Sequence, residues 1–329
     1  MARADQMKAL LRAYAGQDNT TFLSVALQVA ADEAQRGHTK VAAELRELID
    51  RARESLSPRP RVGAMPLARP KGELAELLTV QYPQRHMAQM VVAPQIADKL
   101  SRVLNEQRQH ERLSGHGLAP RRKLLLMGPP GTGKTLTAGV LATELRLPLF
   151  IARFDSLITK YMGESAAKLR LVFDALNSTR GVYLFDEFDS LGLQRGSQHD
   201  VAEMRRTLNM FLQLLEQDAS NSLIVAATNH GDSLDFALFR RFDDVIHFQA
   251  PDEAQIEMLL RNNLAIMAGN DLDYASLARH GAGLSHADIV RACEDAMKDA
   301  VLEHRERVSD AGVVQHLSER ASTAQKRLL

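Results

Sequence analysis

The sequence has little of what disulfide-bonded, membrane-spanning or nucleic-acid-coating proteins require. Its 329 residues include one cysteine, Cys293, and only 5% aromatic residues. One thiol can form neither an internal disulfide nor a cysteine-rich metal site, which favours a reducing compartment. The 41 basic and 41 acidic side chains cancel, which argues against binding to nucleic acid or anionic membrane along the whole chain. We therefore predict a cytoplasmic protein.

Long apolar runs are also missing. The longest, such as residues 223–228, have the length of a strand and are far too short to span a bilayer. The first twenty residues are interrupted by charges and contain no apolar signal core. We therefore predict no membrane segment.

Four segments differ in their residue pattern. Residues 1–56 carry three apolar stripes with helical spacing, which predicts an N-terminal three-helix bundle. Residues 57–79 hold four of the eleven prolines among basic residues and are typical of a linker. Residues 80–250 alternate short apolar runs with helical patterns. Residues 251–329 contain helical patterns alone and predict a C-terminal helical subdomain.

The apolar runs of the third segment indicate a parallel sheet. They are apolar on both faces and are separated by helical patterns, which is typical of a sheet covered by helices on both sides. The predicted strands are residues 123–127, 148–153, 182–185, 223–228 and 245–248. The expected fold class is therefore α/β, an αβα sandwich around a five-stranded parallel sheet.

A glycine-rich loop follows the first of these strands. Residues 128–135 match the pattern G-x-x-x-x-G-K-[ST]. The glycines let the backbone curve around phosphate oxygens, and the amides of the next helix face the negative charge. Lys134 is expected to reach the β- and γ-phosphates, and Thr135 to ligate Mg²⁺. The alternative of an accidental glycine-rich turn is disfavoured by the strand before it and the helix after it. The predicted ATP-binding residues of this P-loop are Gly128, Pro129, Pro130, Gly131, Thr132, Gly133, Lys134, Thr135 and Leu136.

Two acids and an amide follow other strands. Asp186 and Glu187 end the apolar run 182–185, and Asn229 follows the run 223–228. Ligands of a parallel sheet bind at the carboxyl ends of its strands. We predict that Asp186 holds Mg²⁺, that Glu187 orients or deprotonates the attacking water, and that Asn229 senses the γ-phosphate or aligns that water. Alternatively, the acids simply meet solvent and Asn229 forms a turn.

Two adjacent arginines, Arg240 and Arg241, form a further candidate. An arginine supplied across an interface stabilises the charge of a phosphoryl-transfer transition state. The alternative is a surface ion pair with Asp243 and Asp244, which follow two residues later.

In this order along the chain, these features resemble an AAA+ ATPase of the AAA clade. The resemblance covers roughly residues 123–300 and includes the stretch 234–243, which is similar to the clade's second region of homology. It implies ATP hydrolysis with Mg²⁺, a P-loop NTPase core with a helical lid, and a ring, usually a hexamer. Active sites would lie between neighbouring copies, with Arg240 and Arg241 acting in trans. The adjacency of the two arginines resembles katanin, spastin and the ESCRT-disassembly ATPases.

Residues 159–165 also resemble a family motif, the pore loop that grips substrate. Tyr161 and Met162 would form its aromatic and aliphatic pair. An aromatic ring beside a flexible glycine offers contact area without demanding a particular client sequence. The alternative is that Tyr161 packs at the start of the following helix.

Residues 283–289 resemble the lid motif G-x-S-G-A-D-I. The resemblance implies that His286 and Ala287 lie near the nucleotide. Ala287 stands where many other AAA+ clades carry a sensor arginine, and His286 replaces a glycine that is usual in the clade. We expect His286 either to stack on or hydrogen-bond the nucleotide, or to point to solvent.

Two classes of function remain. The first is a ring motor that remodels, unfolds or disassembles protein clients by threading them through a pore. A variant implied by the resemblance to short stand-alone AAA ATPases is an unfoldase that serves a separately encoded protease. The sequence has no H-E-x-x-H motif, which argues against a self-contained metalloprotease. The alternative is a nucleic-acid-associated ATPase of the loader or transposition-helper type. A locally basic stretch near residues 102–123 favours it, but interleaved acids and the lack of a base-stacking aromatic cluster argue against it.

Overall fold

The computed structural model describes residues 70–153, 164–188, 198–229, 236–268 and 272–328, with the isolated positions 25, 29, 41 and 157. The chain divides into two compact units, Met1–Pro66 and Leu67–Leu329. The fold described below is that of the second. The predicted N-terminal bundle lies almost wholly outside the described residues, as do Tyr161 and Met162, so these stay predictions.

The elements of the described part are numbered in chain order. The strands are β1 (Leu78–Gln81), β2 (Lys123–Met127), β3 (Leu149–Ala152), β4 (Val182–Phe185), β5 (Leu223–Thr228) and β6 (Asp244–His247). The helices before β6 are α1 (Leu74–Leu77), α2 (Pro94–Arg108), α3 (His110–Ser114), α4 (Lys134–Leu145), α5 (Glu164–Ser178), α6 (Gln198–Gln217) and α7 (Phe236–Phe239). The helices after it are α8 (Glu253–Leu264), α9 (Tyr274–His280), α10 (His286–Leu302) and α11 (Asp310–Leu328). A 3-10 helix spans Met87–Gln89.

The strands form one sheet in the order β1-β3-β4-β5-β2-β6. The strands β2 to β6 are parallel to their neighbours. Met127 at the end of β2 is in register with Thr228 at the end of β5, and Phe185 at the end of β4 is in register with Ala226. The carboxyl ends of three neighbouring strands therefore adjoin at one edge of the sheet, where the strand-end acids and the P-loop were expected to meet.

The central strands are buried on both faces, which explains why their sequences are continuous runs of apolar residues. Every residue of β4 and of β5 is buried. Apolar side chains pack on both faces of the sheet, one face around Phe185 and Phe211, the other around Leu184 and Leu141. The predicted sandwich with helices on both faces is thus confirmed. The five predicted parallel strands are also confirmed, and their ends agree with the prediction within one or two residues.

The sheet has a sixth strand that the sequence analysis missed. Strand β1 pairs antiparallel with β3, with Leu78 opposite Ala152. Leu77 and Leu78 are buried against the core, so this unit includes residues before position 80, where we placed its start. Four residues at a sheet edge are too few to give a clear period-2 pattern, and the preceding prolines made this stretch look like linker.

The four helices after the sheet, α8 to α11, pack together, and we name this group of helices the lid. Their cores share one apolar cluster that includes Ile256, Leu260 and Ile289. Side chains cap the starts of α8 and α10: Asp252 accepts a hydrogen bond from the backbone N–H of Gln255 before α8, and Ser285 accepts one from that of Asp288 before α10. Within the described ranges, none of the helices is both long and apolar enough to cross a membrane.

Cys293 lies in the lid core. It is fully buried on α10, and burial raises the pKa of its thiol to about 12. A thiol that stays protonated at neutral pH is a poor nucleophile and a poor metal ligand. The described residues also contain no group of three or more His, Cys, Asp or Glu that could hold a metal ion. Cys293 is therefore a packing residue of this core.

Candidate active site

The P-loop joins the end of β2 to the start of α4 and depends on glycine for its course. Gly128, Gly131 and Gly133 all have positive φ angles, of 145°, 77° and 99°. A Cβ on Gly128 would overlap the backbone carbonyl of Phe248. All three positions favour glycine because their backbone is left-handed. Gly128 also needs glycine because there is no room for a Cβ beside Phe248.

Lys134 carries a positive charge at the centre of this loop. Its Nζ donates hydrogen bonds to the carbonyl oxygens of Gly128, at 2.7 Å, and Pro129, at 2.8 Å. The hydroxyl of Thr132 donates to the same Pro129 oxygen at 2.8 Å. Lys134 also begins α4, whose amino terminus adds a partial positive charge. The loop is therefore an electropositive cradle suited to an anion such as a polyphosphate.

The strand-end acid Asp186 touches this cradle. The hydroxyl of Thr135 donates a 2.6 Å hydrogen bond to Asp186 Oδ2. The other oxygen, Oδ1, accepts a bond of 2.9 Å from the backbone N–H of Glu187. A hydroxyl and a carboxylate, which supply hard oxygen ligands, thus meet beside the lysine, a donor set suited to Mg²⁺.

Glu187 has an unusual backbone. Its φ is +52°, in the left-handed region that non-glycine residues seldom adopt. The next residue, Phe188, is fully buried and packs on Phe211 of α6, with ring centroids 4.9 Å apart. The left-handed turn lets Phe188 enter the core while Glu187 lines the cavity described next. Strain of this kind is concentrated at functional sites.

A cavity of about 920 Å³ lies at this edge of the sheet. Its polar side is formed by residues 130–136, Asp186, Glu187 and Asn229, and residues 286 and 287 also line it. Its apolar side includes Ala88, the stretch 90–92, Leu259 and Val290. The volume and this division of polarity suit a nucleotide, whose phosphates are charged and whose base is flat and largely apolar on its faces.

The structure brings together most of the residues that the sequence analysis selected. Gly128 and Pro129 lie behind the cavity lining and support it through their contacts with Phe248 and Lys134. Asn229 lines the cavity beside the two acids. The sequence analysis found these residues because each belongs to a local motif at a strand end.

His286 and Ala287 reach the cavity from the lid. The backbone N–H of Ala287 donates a 3.0 Å hydrogen bond to the carbonyl of Gly131. Both ring nitrogens of His286 are buried, and neither has a well-formed hydrogen bond within the part of the chain that the structure describes. Burial lowers the pKa of His286, an effect that the nearby backbone of Val91 partly opposes. The ring is therefore a neutral imidazole at the cavity wall. The expectation that His286 points to solvent is wrong, because both ring nitrogens are buried.

Arg240 and Arg241 do not line the described cavity. Arg241 forms an ion pair with Glu216 at the end of α6. The side chain of Glu216 is 60% exposed and that of Arg241 is 38% exposed, so this pair contributes at most about 1 kcal/mol. Arg240 is exposed, and no ion pair to it occurs within the described residues. The two adjacent guanidiniums thus differ in their surroundings, and Arg240 is the more accessible.

The two acids that follow the arginines have other partners. Asp243 accepts hydrogen bonds from the backbone N–H groups of Arg122 and Lys123, at 2.8 and 2.9 Å. Asp244 pairs with Lys99 of α2 at 2.8 Å. The alternative prediction, that Asp243 and Asp244 form ion pairs with Arg240 and Arg241, is therefore wrong.

Several residues that line the cavity were not predicted from the sequence. Arg291 and Glu294 follow Ala287 at helical spacing on α10, so the period of that helix could have revealed them. Other residues come from segments without a local motif, and no pattern in the sequence marked them. These are Arg85, Ala88, Gln89, Met90, Leu259, Arg261, Asn262, Asn263 and Ala265.

Comparison with known proteins identifies the family. Residues 124–250 match the model of the ATPase family associated with various cellular activities, AAA. An uncharacterized AAA family ATPase, y4kL of Sinorhizobium fredii, is 33% identical over 313 residues, which cover 94% of this chain and 93% of y4kL. The chain belongs to the AAA family of ATPases. This AAA ATPase therefore binds and hydrolyses ATP, in agreement with the geometry of the P-loop cavity.

Two further relatives match over a smaller part of their length. The ATP-dependent zinc metalloprotease FtsH 3 of Sphaerobacter thermophilus is 31% identical over 232 residues, which are 69% of this chain and 47% of that protein. The peroxisomal ATPase pex6 of Schizosaccharomyces pombe is 34% identical over 204 residues, which are 59% of this chain and 22% of that protein. This AAA ATPase thus spans less than half of these two relatives.

Proposed function

We propose that this AAA ATPase is a ring motor that remodels, unfolds or disassembles protein clients. Hydrolysis of ATP would drive a polypeptide through the central pore of a homo-oligomer, most simply a hexamer. The main support for ATP hydrolysis at this site is the 2.6 Å hydrogen bond between Thr135 and Asp186. This bond joins the phosphate cradle to the acids at the strand end. We propose the cytoplasm as its location, on the evidence of cysteine usage.

In this proposal the residues of the cavity have distinct roles. The P-loop amides and the Lys134 ammonium bind the phosphates of ATP. Thr135 and Asp186 hold Mg²⁺, which when bound neutralises charge on the β- and γ-phosphates. Glu187 orients the attacking water and accepts its proton, and Asn229 aligns the water against the γ-phosphate.

The arginine pair would act on the site of a neighbouring copy. Neither arginine belongs to the lining of its own cavity, and Arg240 is exposed. A guanidinium inserted from a neighbour would stabilise charge on the transferred phosphoryl group, an effect of about 10³–10⁵ in rate. Arg240 is our main candidate for this role, with Arg241 held beside it by Glu216.

The client-handling part rests on Tyr161 and Met162 and on the relatives. We propose that these two side chains grip clients from the pore loop, as an aromatic and aliphatic pair without sequence preference. One relative is named as an ATP-dependent zinc metalloprotease. The present sequence has no H-E-x-x-H, so cleavage of a client by a zinc protease of that type would come from a separately encoded protein.

A trap experiment tests this function. Tagged Glu187→Gln protein, held with ATP, is recovered from its native lysate, and its bound proteins and nucleic acids are identified. The Lys134→Ala variant serves as the nucleotide-free control, and the double variant Glu187→Gln with Tyr161→Ala tests the pore loop. We expect proteins that require both ATP and Tyr161. ATP-dependent nucleic acid that survives moderate salt, without any protein client, would overturn the proposal in favour of the nucleic-acid-associated alternative.

A further inference from the structure

The helix that begins at the P-loop ends against a segment that lines the apolar side of the cavity. Helix α4 starts with Lys134 in the phosphate cradle, and Glu144 lies in its last turn. Residues 83–92, which we name the base segment, pass this end of α4 before they reach the cavity. Ala88 and residues 90–92 of this segment form part of the apolar lining.

Glu144 is the main polar contact between α4 and the base segment. Its Oε1 accepts a hydrogen bond of 3.1 Å from the backbone N–H of Met87 and lies 3.2 Å from Nδ1 of His86. Its Oε2 accepts a 2.8 Å bond from the guanidinium of Arg108, which also bonds the Glu144 carbonyl oxygen at 3.1 Å. The carboxylate is thus fixed on one side by α2 and holds the base segment with the other.

The base segment transmits this contact to the cavity within one short turn. Met87 begins the 3-10 helix that ends at Gln89, and the backbone N–H of His86 donates to Gln89 Oε1 at 2.9 Å. A second anchor comes from the neighbouring residue on α4, since the hydroxyl of Thr143 donates to the carbonyl of Pro83 at 2.8 Å. Two consecutive side chains of α4 therefore set where the base segment lies.

The base of ATP belongs on this side of the cavity for a simple reason. The phosphates require the P-loop, and the flat base gains most from the apolar surface that remains. That surface is formed by the base segment together with Leu259 and Val290 of the lid. This step rests on the proposed placement of ATP.

We propose that Glu144 is a positioning residue for the base of ATP, because it fixes the base segment to the helix that carries the phosphate site. A single rigid helix would then set the distance between the part of the cavity that takes the base and the part that takes the phosphates. The role depends on Oε1, the oxygen that accepts from Met87, and the Arg108 guanidinium fixes the carboxylate through its other oxygen, Oε2.

The electrostatics of Glu144 agree with this role. Burial alone raises the pKa of its carboxyl group, but the hydrogen bonds from Met87, His86 and Arg108 outweigh that effect and leave the pKa below its ordinary value. The group is therefore a carboxylate at neutral pH, and hydrogen bonds to a charged acceptor are stronger than those between neutral groups.

The chain offers a closely matched control. Glu106 also accepts one backbone N–H and one guanidinium, both from Arg121, at 2.9 and 2.5 Å. Its side chain is 24% exposed and that of Glu144 is 20% exposed. Glu106 is not among the residues that line the described cavity. Replacing it with alanine removes the same chemistry without touching the base segment.

The test compares the affinities of two ligands, ATP and base-free ribose 5′-triphosphate, in the presence of Mg²⁺. Dissociation constants are measured by competition against a fluorescent nucleotide, for wild type, Glu144→Ala, Glu144→Gln and Glu106→Ala. We expect Glu144→Ala to bind ATP roughly tenfold more weakly and ribose triphosphate as wild type does. Glu144→Gln keeps an amide oxygen for Met87 but loses the acceptor for Arg108, so it should recover part of the loss. In steady-state assays, KM for ATP should rise in Glu144→Ala while kcat stays within about twofold.

Three results would overturn the inference. The first is an ATP affinity of Glu144→Ala equal to that of Glu106→Ala. The second is an equal loss of affinity for ATP and ribose triphosphate, which would indicate damage to the phosphate site. The third is a melting temperature that falls in Glu144→Ala far more than in Glu106→Ala and accounts for the loss of binding. A wild-type chain that fails to bind ATP would instead refute the proposed function, so the two failures are distinct.

Discussion

The backbone N–H of Ala287 donates a hydrogen bond of 3.0 Å to the carbonyl oxygen of Gly131. This bond joins the first turn of the lid helix α10 directly to the P-loop. Ser285, which caps the same helix, lies so close that a Cβ on Gly131 would come within 2.5 Å of its Oγ. The conformation of the P-loop and the position of the lid therefore depend on each other at one glycine.

Substitution of Gly131 by alanine should disturb both the P-loop and the lid. The left-handed backbone at this position costs a non-glycine residue about 1–2 kcal/mol, and the new Cβ would also push Ser285 away. We expect ATP affinity, measured by calorimetric titration, to fall more than tenfold. The melting temperature should fall as well.

Gly117→Ala is the matched control for this prediction. Gly117 has a similar φ of +72°, but nothing lies within 4 Å of the position that its Cβ would take. It should therefore show the backbone cost alone, with normal ATP binding. Equal effects of the two substitutions on ATP affinity would mean that the contact between P-loop and lid has no part in nucleotide binding.

Glu187→Gln should separate ATP binding from ATP hydrolysis. The amide has nearly the size of the carboxylate and tolerates the same left-handed backbone, but it cannot accept the proton of the attacking water. We expect an ATP affinity within a few-fold of wild type and a kcat reduced at least about a hundredfold. Radioactive phosphate release and equilibrium binding measure the two quantities, and near-normal turnover would remove the catalytic assignment.

The sequence was sufficient for the parts of the site that belong to local motifs. Gly131 and Lys134 belong to one eight-residue pattern, and Asp186 and Glu187 end an unbroken apolar run, so their place at one edge of the sheet could be predicted. The helices of the lid could be predicted as well, because their caps and apolar periods are both local.

Contacts between distant segments could not be predicted in the same way. Glu144 and Met87 are 57 positions apart, and nothing in either neighbourhood indicates the other. The pairing of Arg241 with Glu216, rather than with the adjacent Asp243, depends on where α6 ends in space. Strand β1 exists because β3 offers it a free edge, which its own four residues do not reveal.

Arg240→Ala and Arg241→Ala should have different effects on ATP hydrolysis. Arg240 is exposed and available to a neighbouring copy, while Arg241 is held by Glu216 of its own chain. We expect Arg240→Ala to lower kcat about a thousandfold with little change in ATP affinity. Arg241→Ala should lower kcat less, since its effect would act mainly through the position of its neighbour.

Mixing variants tests whether Arg240 acts across an interface. Arg240→Ala protein has an intact P-loop, and Lys134→Ala protein has an intact arginine. Some interfaces in mixed assemblies should join an intact P-loop from one copy to an intact Arg240 from its neighbour. Hydrolysis should therefore recover partly when the two variants are combined. The absence of recovery at every mixing ratio, with mixed assembly verified by a tag, would count against action in trans.

The pKa of His286 should make the stability of the lid depend on pH. Burial lowers this pKa below its ordinary value of 6.5 in the folded chain. Above that value the imidazole is neutral in both the folded and the unfolded states, and the folded state keeps its full stability. As the pH falls below 6.5, His286 becomes protonated in the unfolded chain but stays neutral in the folded chain. The free energy of unfolding therefore decreases until the pH reaches the pKa of the folded state.

Replacing His286 should therefore flatten the pH dependence of unfolding. Between about pH 7.5 and pH 5.5, the wild type should lose more unfolding free energy in denaturant titrations than His286→Ala, because alanine removes the group that resists protonation. His280→Ala is the control, since His280 is an exposed lid histidine that bonds the carbonyl of Ser276. If His286→Ala and His280→Ala follow the wild-type slope equally, the buried imidazole is not the source of the dependence. A flattened slope for His286→Ala alone would show that burial keeps this ring neutral in the folded chain.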